Sequence, residues 1–302
     1  MMMTSYHNPV LLQESIDGLD LQPNGTYVDL TFGGGGHTRA ILNQLNVGRL
    51  VCFDQDPDAV ANIPKDERVS FIQHNFRHLR NFLRYHDAIP VDGVLADLGI
   101  SSHQIDEASR GFSTRFDAEL DMRMSQDGEL DAIALLNDYN EQQLTKIFRL
   151  YADLKNGRQV AQYIIRYRGV NEIRSTNDLK SATQKLLPRG KENSFLAKIF
   201  QAVRIEVNDE MGALREVLEQ LEHVVKPGGR VSIISYHSLE DRMVKNLIRN
   251  GAVNTDDNAT DLFGNKKLPF KAINRKPIIA TDQENEANPR ARSAKLRIAV
   301  RT

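Results

Sequence analysis

"VDLTFGGGGHTRAILNQL" (residues 28–45) sets an apolar run, four consecutive glycines and a helix-forming segment end to end. A strand that turns directly into a helix through residues without Cβ lets the backbone come close to whatever lies above the turn. Four side chains are given up for that approach. Working outward from this turn, further β-rich runs appear at 26–32, 48–54, 68–76, 91–99 and 228–237. Most are continuously apolar, as expected of strands covered on both faces of a parallel sheet. Helical patterns at 37–45, 57–61 and 76–85 separate the early runs, which predicts the βαβαβ rhythm of a doubly wound α/β fold. The closing "SAKLRIAVRT" reads as a late edge or antiparallel strand.

The rhythm stops after Asp97. From Ser109 to Ile205 the pattern holds amphipathic helices, at 140–153, 157–168 and 176–187 among others, and no strand. A helix over 208–225, stopped by "KPGG", leads back into the sheet. The expected organisation is therefore a core in two parts, 1–108 and 206–302, around an inserted helical domain at 109–205 that recognises the substrate. Residues 252–290 are polar and turn-rich and read as a mobile loop region.

Composition narrows the function classes. The chain has 302 residues, 40% hydrophobic and 26% charged, with no apolar run near membrane-spanning length. The N-terminal "MMMTSYHNPV" lacks the pattern of a signal peptide, so a cytoplasmic location is expected, without membrane association. The single cysteine, Cys52, lies in an apolar run and predicts a buried thiol. No His, Cys or carboxylate spacing calls for a metal. The formal net charge of -1 conceals an uneven spread: residues 1–107 carry 7 Lys and Arg against 14 Asp and Glu, 146–204 carry 13 against 4, and 264–302 carry 10 against 3. An acidic front with two basic stretches suits a polyanion bound by one part of the molecule, although long helices also expose basic faces for solubility.

A dinucleotide site wants Gly-x-Gly-x-x-Gly. Registering on Gly33 or Gly34 puts Thr38 or Arg39 at the third place, which weakens a pyrophosphate reading. Asp29, just before the glycines, suits a ligand with a cationic amino group, as S-adenosylmethionine has. Asp54 after the second strand can take two ribose hydroxyls. Asn75 and Phe76 after the third offer a polar group and an aromatic face for adenine. Asp97 ends the fourth strand at the same crevice. Each signal has a plain alternative in a turn, a helix cap or a core aromatic; their order at four successive strand ends favours an adenosine-containing cofactor.

"HNPVLL", "DLTFGGGGHTRAIL", "FDQDPDA", "DLGISSHQIDEASRGFS", "ELDMRMS", "FQAVRIEVNDE" and "PGGRVSIISYHSLEDRMVK" together resemble the bacterial small-subunit ribosomal RNA (cytosine-N4) methyltransferases, from about His7 to Arg301. The resemblance implies a class I S-adenosylmethionine-dependent methyltransferase, Rossmann-like with a helical insertion. It implies cofactor contacts at Gly35, Gly36, His37, Asp54, Phe76, Asp97 and Gln104. It also implies as substrate a cytidine of the decoding centre in 16S ribosomal RNA, met within the small ribosomal subunit; DNA is not expected. Where many exocyclic-amine methyltransferases carry Asp or Asn, two prolines and an aromatic, this chain reads Asp97-Leu98-Gly99-Ile100, so their mechanism does not transfer directly.

Asp97 and His237 are the catalytic candidates, Asp97, or a carbonyl of the 97–101 turn, as acceptor for the amine and His237, with Tyr236, at the rim where a flipped base would sit. Ser238 and Asp241 have the spacing of a capping box. Arg123 suits either a phosphate or its neighbour Asp121, and His7 either a site or an N-terminal cap. The basic stretch Lys146–Arg204 and the tail residues Arg290, Arg292, Lys295 and Arg297 are candidates for RNA backbone contacts. Two other function classes fit the same residues: a methyltransferase for another acceptor, and a non-catalytic cofactor-binding assembly factor of the ribosome. Oligomeric state has no signature in the sequence.

Overall fold

The computed structural model describes residues 9–254 and 268–302. His7 and residues 255–267 of the expected loop region lie outside the described residues. The chain divides into two compact units, one made of residues 1–99 and 211–302, the other of 100–210.

The first unit holds a seven-stranded sheet: β1 (Thr26–Asp29), β2 (Arg49–Asp54), β3 (Val69–Gln73), β4 (Val91–Asp97), β5 (Val225–Ser235), β6 (Phe270–Ala272) and β7 (Lys295–Arg301). Their order is β3-β2-β1-β4-β5-β7-β6. The first five run parallel, whereas β7 lies antiparallel between β5 and β6. This is the class I methyltransferase arrangement. The tail strand expected as an edge or antiparallel element is thus antiparallel and internal, and β6 with the short helix Asp282–Ala287 occupies part of what read as loop.

Among the described residues, three α-helices precede the break in the sheet: α1 (Leu12–Leu19), α2 (Gly36–Leu42) and α3 (Leu79–Tyr85). The second unit contains α4 (Ser102–Asp106), α5 (Ala132–Asp138), α6 (Glu141–Leu150), α7 (Gly157–Arg168), α8 (Thr176–Thr183) and α9 (Glu192–Val207). The sheet unit then continues through α10 (Glu210–Val224), α11 (Ser238–Asn250) and α12 (Asp282–Ala287).

Alternation along the strands decides which side chains reach the site. Val28, Val51, Phe53, Val94 and Ala96 pack into one apolar cluster with α3, α10 and α11. Tyr27, Leu50, Cys52 and Leu95 point to the other face, against α1 and α2. Both faces are covered, which explains the continuous apolar runs. Asp29 lies opposite Cys52 on one side and Leu95 on the other. By the two-residue period of a strand, Asp54 and Asp97 follow Cys52 and Leu95 on that same face. Three carboxylates thus come to the carboxyl edge of β2, β1 and β4, side by side.

The second unit has its own core, in which Leu120, Leu136, Leu144, Phe148, Ile164, Ile173 and Ile199 are fully buried. Two of its helices start on capping boxes of side chains, Asn140 with Gln143 for α6 and Ser175 with Asp178 for α8. Each cap satisfies backbone N–H groups that the first helical turn leaves without partners.

Candidate functional site

The glycine turn is held from below. Asp29 is fully buried, and its oxygens accept from the Thr38 hydroxyl at 2.7 Å and the Thr31 N–H at 3.1 Å. Burial pushes its carboxyl up to about 6, with those two hydrogen bonds pulling the other way. Cys52 sits 3.2 Å from the Thr38 hydroxyl, and burial drives its thiol well up, so it is a packed neutral group. Asp29, read from sequence as an acceptor for an amino group, is turned inward here and pins the β1–α2 turn.

Asp54 ties the turn to β2. Its Oδ2 accepts from Gly33 N–H at 2.7 Å and its Oδ1 from Asp56 N–H at 2.9 Å, which orients the carboxylate and leaves each oxygen a further lone pair. Burial raises its carboxyl to about 6. Gly35 adopts φ +72°, a left-handed backbone that a side chain would strain. A Cβ on Gly36 would stand 2.2 Å from the Pro9 ring. The turn therefore demands glycine at both positions for separate reasons.

At the next strand end, Asn75 accepts from Arg77 N–H at 3.0 Å and donates to Gln55 at 2.9 Å, bridging the ends of β3 and β2. Phe76, expected beneath adenine, is half-buried against the apolar cluster of α3 and α10. His37 is buried, and burial lowers its imidazole to about 4, so it is neutral at physiological pH. Its Nδ1 lies 4.0 Å from Asp97 Oδ2.

Asp97 is fixed at both ends. Its N–H donates to the Thr31 hydroxyl at 2.7 Å, and its Oδ1 accepts from the Tyr236 hydroxyl at 2.7 Å. Burial raises its carboxyl to about 7, Tyr236 opposes that rise, and the charges of Asp29 and Glu240 add to it. About a fifth of its side chain stays exposed (22%), so water moderates the push.

His237 caps α11. Its Nδ1 accepts from Glu240 N–H at 3.4 Å, while Glu240 Oε2 accepts from the N–H groups of Tyr236 and His237 at 2.8 and 3.2 Å. The capping box is therefore His237 with Glu240, one residue before the Ser238–Asp241 pair that the spacing suggested. Asp241 instead pairs with Arg297 at 2.7 Å and lies 3.9 Å from Lys295, which removes Arg297 from the free basic groups of the tail.

In the second unit Gln104 is buried in α4 and forms a capping box with Ser101. Arg123 pairs with both oxygens of Asp121 and donates to the carbonyls of Gln126 and Gly128, so its guanidinium braces the "LDMRMS" loop. Arg158, Arg174 and Arg204 are paired with Glu141, Glu172 and Glu210. Lys146, Arg149, Lys185, Arg189, Lys191 and Lys198 are exposed, and among the described residues no carboxylate pairs with them.

Sequence reasoning missed Thr31 and the hydroxyl of Tyr236. Thr31 carried a readable signal, two residues beyond Asp29 in the turn. Tyr236 meets a partner 139 residues away, and no spacing rule reaches that far.

The model of the MraW methylase family matches residues 4–302. The chain belongs to the MraW methylase family. It is 53% identical to a protein of Christiangramia forsetii over 99% of both chains, and 54% identical to one of Flavobacterium johnsoniae over 97% of both. A Bacteroides thetaiotaomicron protein is 52% identical over 98% of this chain and 97% of its own. Each of the three is named a ribosomal RNA small subunit methyltransferase H. Among the described residues no helix is long and apolar enough to cross a membrane.

Proposed function

We propose that this chain transfers a methyl group from S-adenosylmethionine to N4 of a cytidine in the decoding centre of 16S ribosomal RNA, within the small ribosomal subunit. The observation that carries the reading is the gathering of the Gly33–Gly36 turn, Asp54 and Asp97 at adjoining strand ends in a member of the MraW family. The residues present fit the cofactor. Gly35 and Gly36 keep the turn free of side chains, and Asp54 retains lone pairs suited to a ribose diol. His37, Phe76 and Gln104 are the further contacts that the family resemblance puts forward.

When bound, S-adenosylmethionine supplies a sulfonium methyl group open to in-line displacement. Asp97 presents Oδ2 as an acceptor, its carboxylate being held in one orientation by the Tyr236 hydroxyl on Oδ1. The exocyclic amine of cytosine is a poor nucleophile, its lone pair being delocalised into the ring. An acceptor that draws its N–H into line as the nitrogen pyramidalises lowers that barrier, and Oδ2 can take the proton released after alkylation. The exposed cations of the 100–210 unit hold the RNA backbone in this reading, making that unit the substrate-recognition part of the molecule.

Radiolabelled S-adenosylmethionine is offered in parallel to small subunits, deproteinised ribosomal RNA and protein extract from cells lacking this protein. Label in N4-methylcytidine from subunits is the expected result. Cofactor binding with no label in any RNA refutes it and favours an assembly factor or another acceptor.

A further inference from the structure

The carboxylate of Asp97 sits in an unusual company. Asp29 from β1 and Glu240 from α11 both disfavour its negative charge, and His37 from α2, 4.0 Å away, is neutral and offers no compensating cation. Among the described residues, one side chain hydrogen-bonds to it: Tyr236, through its hydroxyl. The phenol itself faces Asp97, Glu240 and Glu284, and burial with those charges drives its own ionisation well up, so it remains a proton donor throughout the working pH range.

The tyrosine is also held in place. Its ring packs against the apolar cluster that contains Leu11, Ile234 and Leu296, and its N–H is tied to Glu240 at 2.8 Å. Gly99, at φ +99°, carries the chain past the ring where a Cβ would meet it at 3.5 Å. A ring packed in this way, with its hydroxyl committed, is a different device from an open platform for a flipped base.

We propose that Tyr236 is a positioning residue for Asp97: its hydroxyl holds Oδ1 and thereby fixes the orientation in which the carboxylate meets the ligand, Oδ2 carrying no side-chain hydrogen bond among the described residues. That Asp97 accepts from the reacting amine rests on the function proposed above; that Tyr236 governs the carboxylate does not. The hydrogen bond favours the ionised form, so removing it raises the pH at which Asp97 gains its proton. Hydrogen bonds to charged groups have a size that corresponds to a shift of about one pH unit.

The test follows the carbon-13 resonance of the Asp97 carboxyl with pH in the ligand-free full chain, the signal being assigned by its loss in Asp97→Asn. In Tyr236→Phe, which keeps the ring, the titration midpoint is expected to rise by about one pH unit. A fluorinated tyrosine placed at position 236, a stronger donor, is expected to lower it. An unchanged midpoint in either form overturns the proposal. The acid limb of methyl transfer should move with the midpoint in the phenylalanine variant and return towards wild-type rates at higher pH. If the wild type transfers no methyl group at all, the functional reading fails, while the titration still decides the role of Tyr236.

Discussion

Asp29, Asp54 and Asp97 each hold a carboxyl raised by burial, to about 6, about 6 and about 7. In the unfolded chain all three ionise near pH 4. Between about pH 4 and 7 the unfolded state therefore binds fewer protons than the folded one, and stability contributed by these groups is lost as pH rises through that window. Replacing Asp97 by Asn removes its share of the loss. Asp97→Asn should raise stability by about 1–3 kcal/mol at pH 8 and by nothing measurable at pH 4, read from thermal or urea unfolding at the two pH values. The same variant should abolish methyl transfer, as expected when a carboxylate is kept buried for chemistry at a cost in stability. Gly36→Ala meets Pro9 directly and should cost about 1–3 kcal/mol and weaken cofactor binding at least roughly tenfold, by melting and by calorimetry. The glycines and Asp54 were legible because their chemistry is local. The inward turn of Asp29 was not, since the partner that claims it, Thr38, competes with a ligand only once the turn is folded.

At the scale of elements, the start of α11 shows how one residue of register changes roles. Glu240 is buried and accepts from two N–H groups ahead of the helix, whereas Ser238 is the first helical residue. Glu240→Ala should therefore destabilise the protein by about 1–3 kcal/mol, and Ser238→Ala by less than about 0.5, compared by chemical unfolding. Equal losses in the two would return the cap to Ser238. Both pairs have the i, i+3 spacing of a capping box, and sequence offered no means of choosing between them. The choice is made by Arg297 on β7, which claims Asp241 from 56 residues away. The strands were read correctly from their apolar runs, but β6 escaped because three residues, two of them exposed, carry no pattern of their own.

For the whole molecule, charge clustering in the sequence became selective in the structure. Arg158, Arg174 and Arg204 are neutralised within their own unit, leaving Lys146, Arg149, Lys155, Arg166, Lys185, Arg189, Lys191 and Lys198 as exposed cations without carboxylate partners among the described residues. Reversing Lys146, Arg149 and Lys198 together should weaken RNA binding and flatten its dependence on salt by about 0.7–0.9 in log-log slope for each phosphate no longer neutralised. Filter binding across a salt series checks this, and reversal of Arg158 and Arg174 should change the slope far less. Basic residues could be counted from sequence; which of them stay available depends on carboxylates brought near by folding.

The placement of β7 between β5 and β6 carries a consequence for how the protein is made. During synthesis the first four strands emerge, then the whole 100–210 unit, then β5, and only after Lys295–Arg301 has left the ribosome can β6 find its place, because among the described residues its one strand partner is β7. Pairings so distant in sequence form late and leave β5 with an uncovered edge while the chain from Tyr236 to Ala294 is made. A nascent chain stalled short of β7 should therefore carry a sheet of at most five strands, sensitive to protease and to chaperone capture, so that competence arrives only once Lys295–Arg301 is available.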